Sequence, residues 1–177
     1  MKREVRISGF GGQGIVLAGV VLGRAAAVYE EYNAVQTQSY GPEARGGASR
    51  SDVIISDEEI MYPYVREPDY LVAMSQEAYD KYAPEVKEDG LVVYDSTLVE
   101  PHRDDDVEHV GVPATKLAEE ELGRRIVANM VILGALRELT DLVSEEALKR
   151  AVEDAVPPGT EEINVKAVEL GARGVRE

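Results

Sequence analysis

The run Gly9-Phe10-Gly11-Gly12-Gln13-Gly14 lies between a strand-like segment, Glu4-Val5-Arg6-Ile7-Ser8, and a helix-like segment from Ile15 to Val28. A β-strand that feeds a helix through a glycine turn is the opening unit of an α/β sheet, so these residues restrict the architecture more than any others in the chain. Gly9, Gly11 and Gly14 fit the spacing G-x-G-x-x-G, in which absent side chains permit a tight turn, close approach to a phosphate and close strand-to-helix packing. A dinucleotide site also needs an acid about 20 residues later, at the end of the second strand, to bind a ribose. That position reads Val35-Gln36-Thr37-Gln38, and Glu30 and Glu31 fall before the strand begins. The loop therefore offers main-chain N–H groups at a helix start to a phosphate or a partner's backbone, or serves as a tight turn alone.

Strand and helix patterns alternate beyond this unit. Strands are expected over 4–9, 33–37, 51–56, 69–74, 90–94 and 107–111, and helices over 13–30, 76–83, 113–120, 123–139, 144–154 and 161–171. Tyr70-Leu71-Val72-Ala73-Met74 and Leu91-Val92-Val93-Tyr94 are continuously apolar, which places them centrally in a sheet covered on both faces. Ser144 and Thr160, each followed by two glutamates, are expected to cap the last two helices with their side-chain oxygens. The fold class implied is α/β: a three-layer α/β/α single domain spanning residues 1–177, with a mainly parallel, Rossmann-like sheet and a helical C-terminal third.

The composition narrows the chemistry. The chain has no cysteine, which excludes disulfides, thiolate zinc sites, cysteine nucleophiles and cysteine-held iron–sulfur clusters, and only two histidines, His102 and His109. A net charge of −15 without a basic run opposes binding to nucleic acid or to anionic membranes. Apolar stretches end well short of the roughly 20 residues of a membrane span, and MKREVRI contains no signal-like apolar core, so a cytoplasmic location is expected.

Residues 38–50 interrupt the alternation with a long polar connection, Gln38-Ser39-Tyr40-Gly41-Pro42-Glu43-Ala44-Arg45-Gly46-Gly47-Ala48-Ser49-Arg50. Long connections of this kind in compact domains are commonly functional. Arg45 is suited to grip a carboxylate or phosphate, or to pair within the loop, and Gly46 and Gly47 admit another backbone. Asp95 at the end of a central strand stands where such sheets bind ligands, although an acid there also caps the turn that follows; Ser75 is read as a helix cap. Asn129, three residues after Ile126 and four before Leu133, shares their buried face and needs hydrogen-bonding partners there. The acidic run at 101–106 is read as a solvated turn.

Together, GFGGQG at 9–14, QTQSYGPEARGGASRSDVIIS at 36–56, YLVAMSQEAY at 70–79 and PPGTEEIN at 157–164 resemble the gamma subunit of the 2-oxoacid:ferredoxin oxidoreductases, most closely the 2-oxoglutarate-using members, with pyruvate and branched-chain members next. The resemblance implies a complex of alpha, beta, gamma and delta-type subunits. Such a complex decarboxylates a 2-oxoacid on thiamine diphosphate and Mg2+, passes electrons through iron–sulfur clusters to ferredoxin, and releases an acyl-coenzyme A. Those cofactors are expected on partner subunits, because this chain has neither cysteines nor a thiamine diphosphate signature. In that picture Gly9, Gly11, Gly12, Gln13 and Gly14 face coenzyme A or a subunit contact at a shared site. Gln38, Ser39, Tyr40, Arg45, Gly46 and Gly47 form the adjoining wall, and no residue acts covalently. The alternatives are a stand-alone nucleotide- or coenzyme A-binding module and a purely structural assembly subunit.

Overall fold

A computed structural model describes residues 1–39, 48–102 and 106–176. In chain order the elements are β1 (Lys2–Phe10), α1 (Ile15–Arg24), β2 (Asn33–Ser39), β3 (Ala48–Ser56), β4 (Tyr70–Ala73), α2 (Gln76–Tyr82), β5 (Leu91–Asp95), β6 (Glu108–Val112), α3 (Ala114–Leu122), α4 (Ala128–Thr140), α5 (Glu145–Ala155) and α6 (Glu161–Arg176). Each expected strand and helix is present. Two helices differ in detail: the first leaves the α-helical pattern at Arg24 and finishes as a π-helical turn over Ala25–Tyr29, and α4 is preceded by a 3-10 turn over Arg125–Val127.

The strands form one sheet in the order β2-β3-β1-β4-β5-β6. The pairs β1–β4, β4–β5 and β5–β6 are parallel, whereas β3 runs antiparallel to both β1 and β2, so one strand opposes five. The two continuously apolar strands, β4 and β5, are interior to the sheet, as their two-sided hydrophobicity requires. Period-2 alternation divides their side chains. Val72 and Val93 join Val5, Ile7, Val53 and Ile55 under the large helical layer of α1, α4, α5 and α6, while Leu71, Ala73, Val92 and Tyr94 face Tyr79 and Tyr82 of α2 on the other side. The second layer is thin, consisting of α2 and the turn after it.

Within the thick layer, α4 and α6 touch backbone to backbone. A Cβ on Gly134 would stand 2.1 Å from the Val168 carbonyl oxygen, and one on Gly171 would stand 1.7 Å from that of Val131, so glycine is required at both crossing points. Ser144 caps α5 as expected, its Oγ accepting from the Ala147 N–H at 3.0 Å. Thr160 does not fill that role for α6: its hydroxyl donates back to the Pro157 carbonyl at 2.6 Å, and the Glu161 carboxylate accepts the Gly159 N–H at 2.6 Å. The preceding Pro157-Pro158 turn presents that carbonyl within reach, and a hydroxyl so engaged is aimed away from the helix N-terminus. Among the described residues no helix is long and apolar enough to cross a membrane.

Candidate functional site at the carboxyl end of the sheet

Leaving β1, the chain turns through the glycine run into α1. The Gln13 side chain closes this turn on itself: Oε1 accepts from the Phe10 N–H at 2.6 Å and Nε2 donates to the Met74 carbonyl at 2.9 Å. The amide thus ties the end of β1 to the end of β4. From these two strands the chain departs in opposite directions, β1 through α1 toward β2 and β4 through α2 toward β5, which makes their junction the switch point where open sheets bind ligands. Gln13 occupies that crevice with its own chain. Each end of the amide makes one internal bond, which fixes the side chain and leaves it a second N–H and a second lone pair. The ribose-binding acid also has no place here, since β3 rather than β2 lies beside β1.

The glycines divide by role. Gly9 is buried at the end of β1, where a Cβ would come within 2.3 Å of Gln13 Oε1. Gly14, at φ 74°, is the N-cap of α1, and a Cβ there would fall 2.3 Å from Asn129 Nδ2. Asn129 is buried, donates to the Gly14 carbonyl at 3.1 Å and accepts from the Met130 N–H at 2.9 Å, so its partners are main-chain groups of this chain. Gly11 and Gly12 are exposed and face open space. Among the described residues no group accepts their N–H bonds, no side chain caps α1, and no acid stands in its first turn. These N–H groups and the helix dipole leave the loop with a positive local potential.

The loop forms one wall of a cavity of about 520 Å³. Phe10, Ile15 and Val16 line one side, Ile126 and Val127 the next, and Pro157, Thr160, Ile163 and Asn164 the far side. The phrases GFGGQG and PPGTEEIN, nearly 150 residues apart by number, therefore meet across one space. Ile126 corrects an expectation: it is 59% exposed, because it belongs to the 3-10 turn before α4 and is rotated away from the face that buries Asn129 and Leu133. It separates the main cavity from a second hollow of about 310 Å³ bounded by Gly12, Gln13, Met74 and Thr115. The glycine run is thus a ridge between two hollows. Periodicity missed Ile126, Arg124 and Thr160 as wall residues; the proline pair before Thr160 is the one local signal that this turn is held in place.

Ser49 also lines the cavity, and its carbonyl accepts from Ser8 Oγ at 2.8 Å. The pairing Ser8↔Arg50↔Ser39 and Ile7↔Ser51↔Gln38 sets Gln38 and Ser39 level with the end of β1 but two strands away, on the edge strand. Gln38 Oε1 lies 3.4 Å from Gln36 Nε2. Tyr40, Arg45, Gly46 and Gly47, named above with these two as one wall, lie outside the described residues.

Other candidates fill structural roles. The buried Asp95 carboxylate accepts from the Thr97 N–H at 3.1 Å, the Thr115 N–H at 3.2 Å and Thr115 Oγ1 at 2.5 Å, tying the turn after β5 to the start of α3. Ser75 Oγ accepts from the Ala78 N–H at 3.1 Å as the N-cap of α2. His109 and the main chain of His102 gather around the Tyr79 hydroxyl, on the thin side of the sheet.

Comparison with known proteins identifies relatives of the chain. Over 179 aligned residues the chain is 55% identical to the 2-oxoglutarate synthase subunit KorC of Methanocaldococcus jannaschii, covering 100% of this chain and 96% of that one. It superposes with a TM-score of 0.91 and 43% identity on the crystal structure of a keto/oxoacid ferredoxin oxidoreductase gamma subunit from Geobacter sulfurreducens, covering 99% and 97% of the two chains. It also matches, with a TM-score of 0.84 and 25% identity, 31% of a longer chain in the 2-oxoglutarate:ferredoxin oxidoreductase of Magnetococcus marinus, solved with 2-oxoglutarate, coenzyme A and succinyl-CoA bound; the match covers 99% of the present chain. With residues 4–174 matching the family described as pyruvate ferredoxin/flavodoxin oxidoreductase, the chain belongs to that family.

Proposed function

We propose that this chain is the gamma-type subunit of a cytoplasmic 2-oxoglutarate:ferredoxin oxidoreductase, a complex that converts 2-oxoglutarate, coenzyme A and oxidised ferredoxin to succinyl-CoA, CO2 and reduced ferredoxin. In this reading residues 1–177 form a single domain that helps assemble the complex and supplies the coenzyme A side of a shared site. Alpha, beta and delta-type subunits carry the remaining machinery. Thiamine diphosphate with Mg2+ supplies the carbanion chemistry there and the iron–sulfur clusters carry the electrons; this chain has no cysteine with which to hold a cluster.

The observation that carries the site is the convergence of the glycine ridge and the 157–164 turn on one cavity. Its chemistry suits coenzyme A. The apolar walls of Phe10, Ile126 and Ile163 fit the pantetheine arm, and the N–H groups of Gly11 and Gly12, beside the uncapped start of α1, fit a carbonyl or phosphate oxygen. Gly9, Gln13 and Gly14 fix the ridge from behind. By the resemblance, Gln38, Ser39, Tyr40, Arg45, Gly46 and Gly47 belong to the adjoining part of the shared site, and the Arg45 guanidinium suits an anion there. The chain's part in the reaction is to bind, orient and shield from water, without covalent attachment.

The test uses the assembled complex. Arg45→Ala raises the KM for coenzyme A or weakens assembly; wild-type values of both reject the role given to that loop.

A further inference from the structure

A different surface lies at the opposite end of the sheet. Between β3 and β4 the chain runs through residues 57–69 without regular structure, yet it is pinned along its length. The ammonium group of Met1 holds Asp57 at 2.9 Å. Asp69 accepts the Glu4 N–H at 2.8 Å and pairs with Lys87 at 3.2 Å. In the middle, Arg6, 1% exposed, donates from Nη2 to the Val65 carbonyl at 2.7 Å. The same guanidinium bonds Asp52 at 2.9 and 3.2 Å and Glu85 at 2.5 Å, and lies 4.9 Å from the centre of the Tyr82 ring. A buried guanidinium matched on every side is rigid, and it imposes that rigidity on the segment it bonds.

Between the pins the segment turns large side chains outward. Met61 is 83% exposed, Tyr64 58% and Tyr62 46%. The two tyrosine rings meet edge to face at 5.6 Å, and the Arg66 guanidinium sits 5.3 Å over Tyr62 while donating to its hydroxyl at 3.1 Å. A hollow of about 300 Å³ opens on each side of Tyr62. Tyrosine, methionine and arginine are the side chains enriched at the centres of protein interfaces, and a backbone held in place loses little freedom when they are covered. Beside Met61 the rim carries the exposed Glu58 and Glu59, which make no ion pair among the described residues, whereas Asp57 is matched by the Met1 ammonium and Lys2 by Glu4, so that border is net acidic. Arg66 and Lys87 lie on the other side of Tyr62. Two such rims on two copies of a chain of net charge −15 would repel one another.

We infer that the face formed by Met61, Tyr62 and Tyr64 docks another subunit of the same complex, one that offers an apolar pocket bordered by lysine or arginine. This rests on the reading of the chain as a subunit, and assigns that contact to the end of the sheet away from the glycine ridge.

The experiment co-expresses the tagged chain with the remaining subunits of its own complex and measures how much of them the tag recovers. The Met61→Asp/Tyr64→Ser double variant alters exposed side chains only, so its Tm stays near the wild-type value while recovery falls by about tenfold or more. Glu58→Lys/Glu59→Lys also lowers recovery, and wild-type recovery declines between about 0.1 and 0.5 M salt. Wild-type recovery by the Met61/Tyr64 variant overturns the docking face and leaves the subunit reading intact; wild-type recovery by the charge-reversed variant overturns the basic border. If the wild-type chain alone forms a dimer that the first variant dissociates, the occupant is a second copy and the proposal is wrong. If the wild-type chain recovers no partner, the subunit reading fails and the proposal fails with it.

Discussion

The side-chain amide of Asn129 donates to the main-chain carbonyl of Gly14 at 3.1 Å, joining the start of α1 to the start of α4 across 115 positions of sequence. The contact is so close that neither residue tolerates growth in the other. Gly14→Ala places a methyl group 2.3 Å from Asn129 Nδ2 on a backbone at φ 74°. Unfolding in urea is expected to show a loss of about 2–3 kcal/mol, from the overlap and the left-handed backbone together. Adding Asn129→Ala to that variant leaves the Asn129 Cβ position as the nearest contact, at 3.7 Å, an ordinary separation. The double variant is therefore more stable than the sum of the two single losses by about 1 kcal/mol, and strict additivity would show that the two side chains do not compete for this space.

Gln13 bridges two strands with one donor and one acceptor, so Gln13→Glu removes half of the bridge. The new carboxylate still accepts from Phe10 but faces the Met74 carbonyl without a proton to share. Stability at neutral pH falls by about 1–3 kcal/mol. Urea denaturation at about pH 7 measures this loss, and wild-type stability contradicts the bridge.

The crossing of α4 and α6 makes two neighbouring glycines behave oppositely. Gly171→Ala drives a Cβ to within 1.7 Å of the Val131 carbonyl oxygen, a backbone atom that moves only with its helix, so it destabilises by about 3 kcal/mol or more. Gly174→Ala, whose Cβ meets nothing nearer than Leu117 Cδ1 at 3.9 Å, gains up to about 1 kcal/mol from reduced freedom of the unfolded chain. Chemical denaturation of both variants decides the matter, since an equal effect at the two sites removes the close crossing.

Three carboxylates of the outer helices contribute to acid sensitivity. The Arg176 hydrogen bond, aided by charge from Arg137, holds the Glu138 carboxyl below its ordinary value of 4.5. Lys149 does the same for Glu145, and Tyr29 with Arg24 for Asp154, whose ordinary value is 3.8. A depressed folded-state value means that the unfolded chain binds more protons in acid. The stabilisation is therefore complete above the ordinary values and disappears as pH falls through the depressed ones. Glu138→Gln flattens the acid limb of the Tm-against-pH curve and lowers Tm slightly near pH 7; a limb as steep as wild type assigns the acid loss to other carboxylates.

The strands and helices were readable because their signals are local. Continuous apolar runs at 70–74 and 91–94 mark two-sided burial, and Ser75 and Ser144 occupy cap positions whose geometry involves only the next three residues. The insertion of β3 between β2 and β1 was not readable, because alternation along a strand is the same whichever way it runs. Thr160 misled for a related reason: its cap pattern is local, but the Pro157 carbonyl competes for its hydroxyl. The glycine ridge was located from spacing, whereas its opposite wall needed α6 to fold back on α4. Ile126 reads as core in any helical projection and becomes exposed only because a 3-10 turn changes its angle about the axis. The exposed Met61, Tyr62 and Tyr64 carry no periodic signal, and only the burial of Arg6 shows that their segment is fixed.

The backbone contact of α4 with α6 also has a mechanical meaning. These helices supply Asn129 on one side of the cavity and Ile163 with Asn164 on the other, and at Gly134 and Gly171 no side chain lies between them to change rotamer. The gap between the walls is consequently a fixed gauge: it widens only if one whole helix slides, so a guest too broad for it is refused by the stiffness of the layer rather than by any residue it touches.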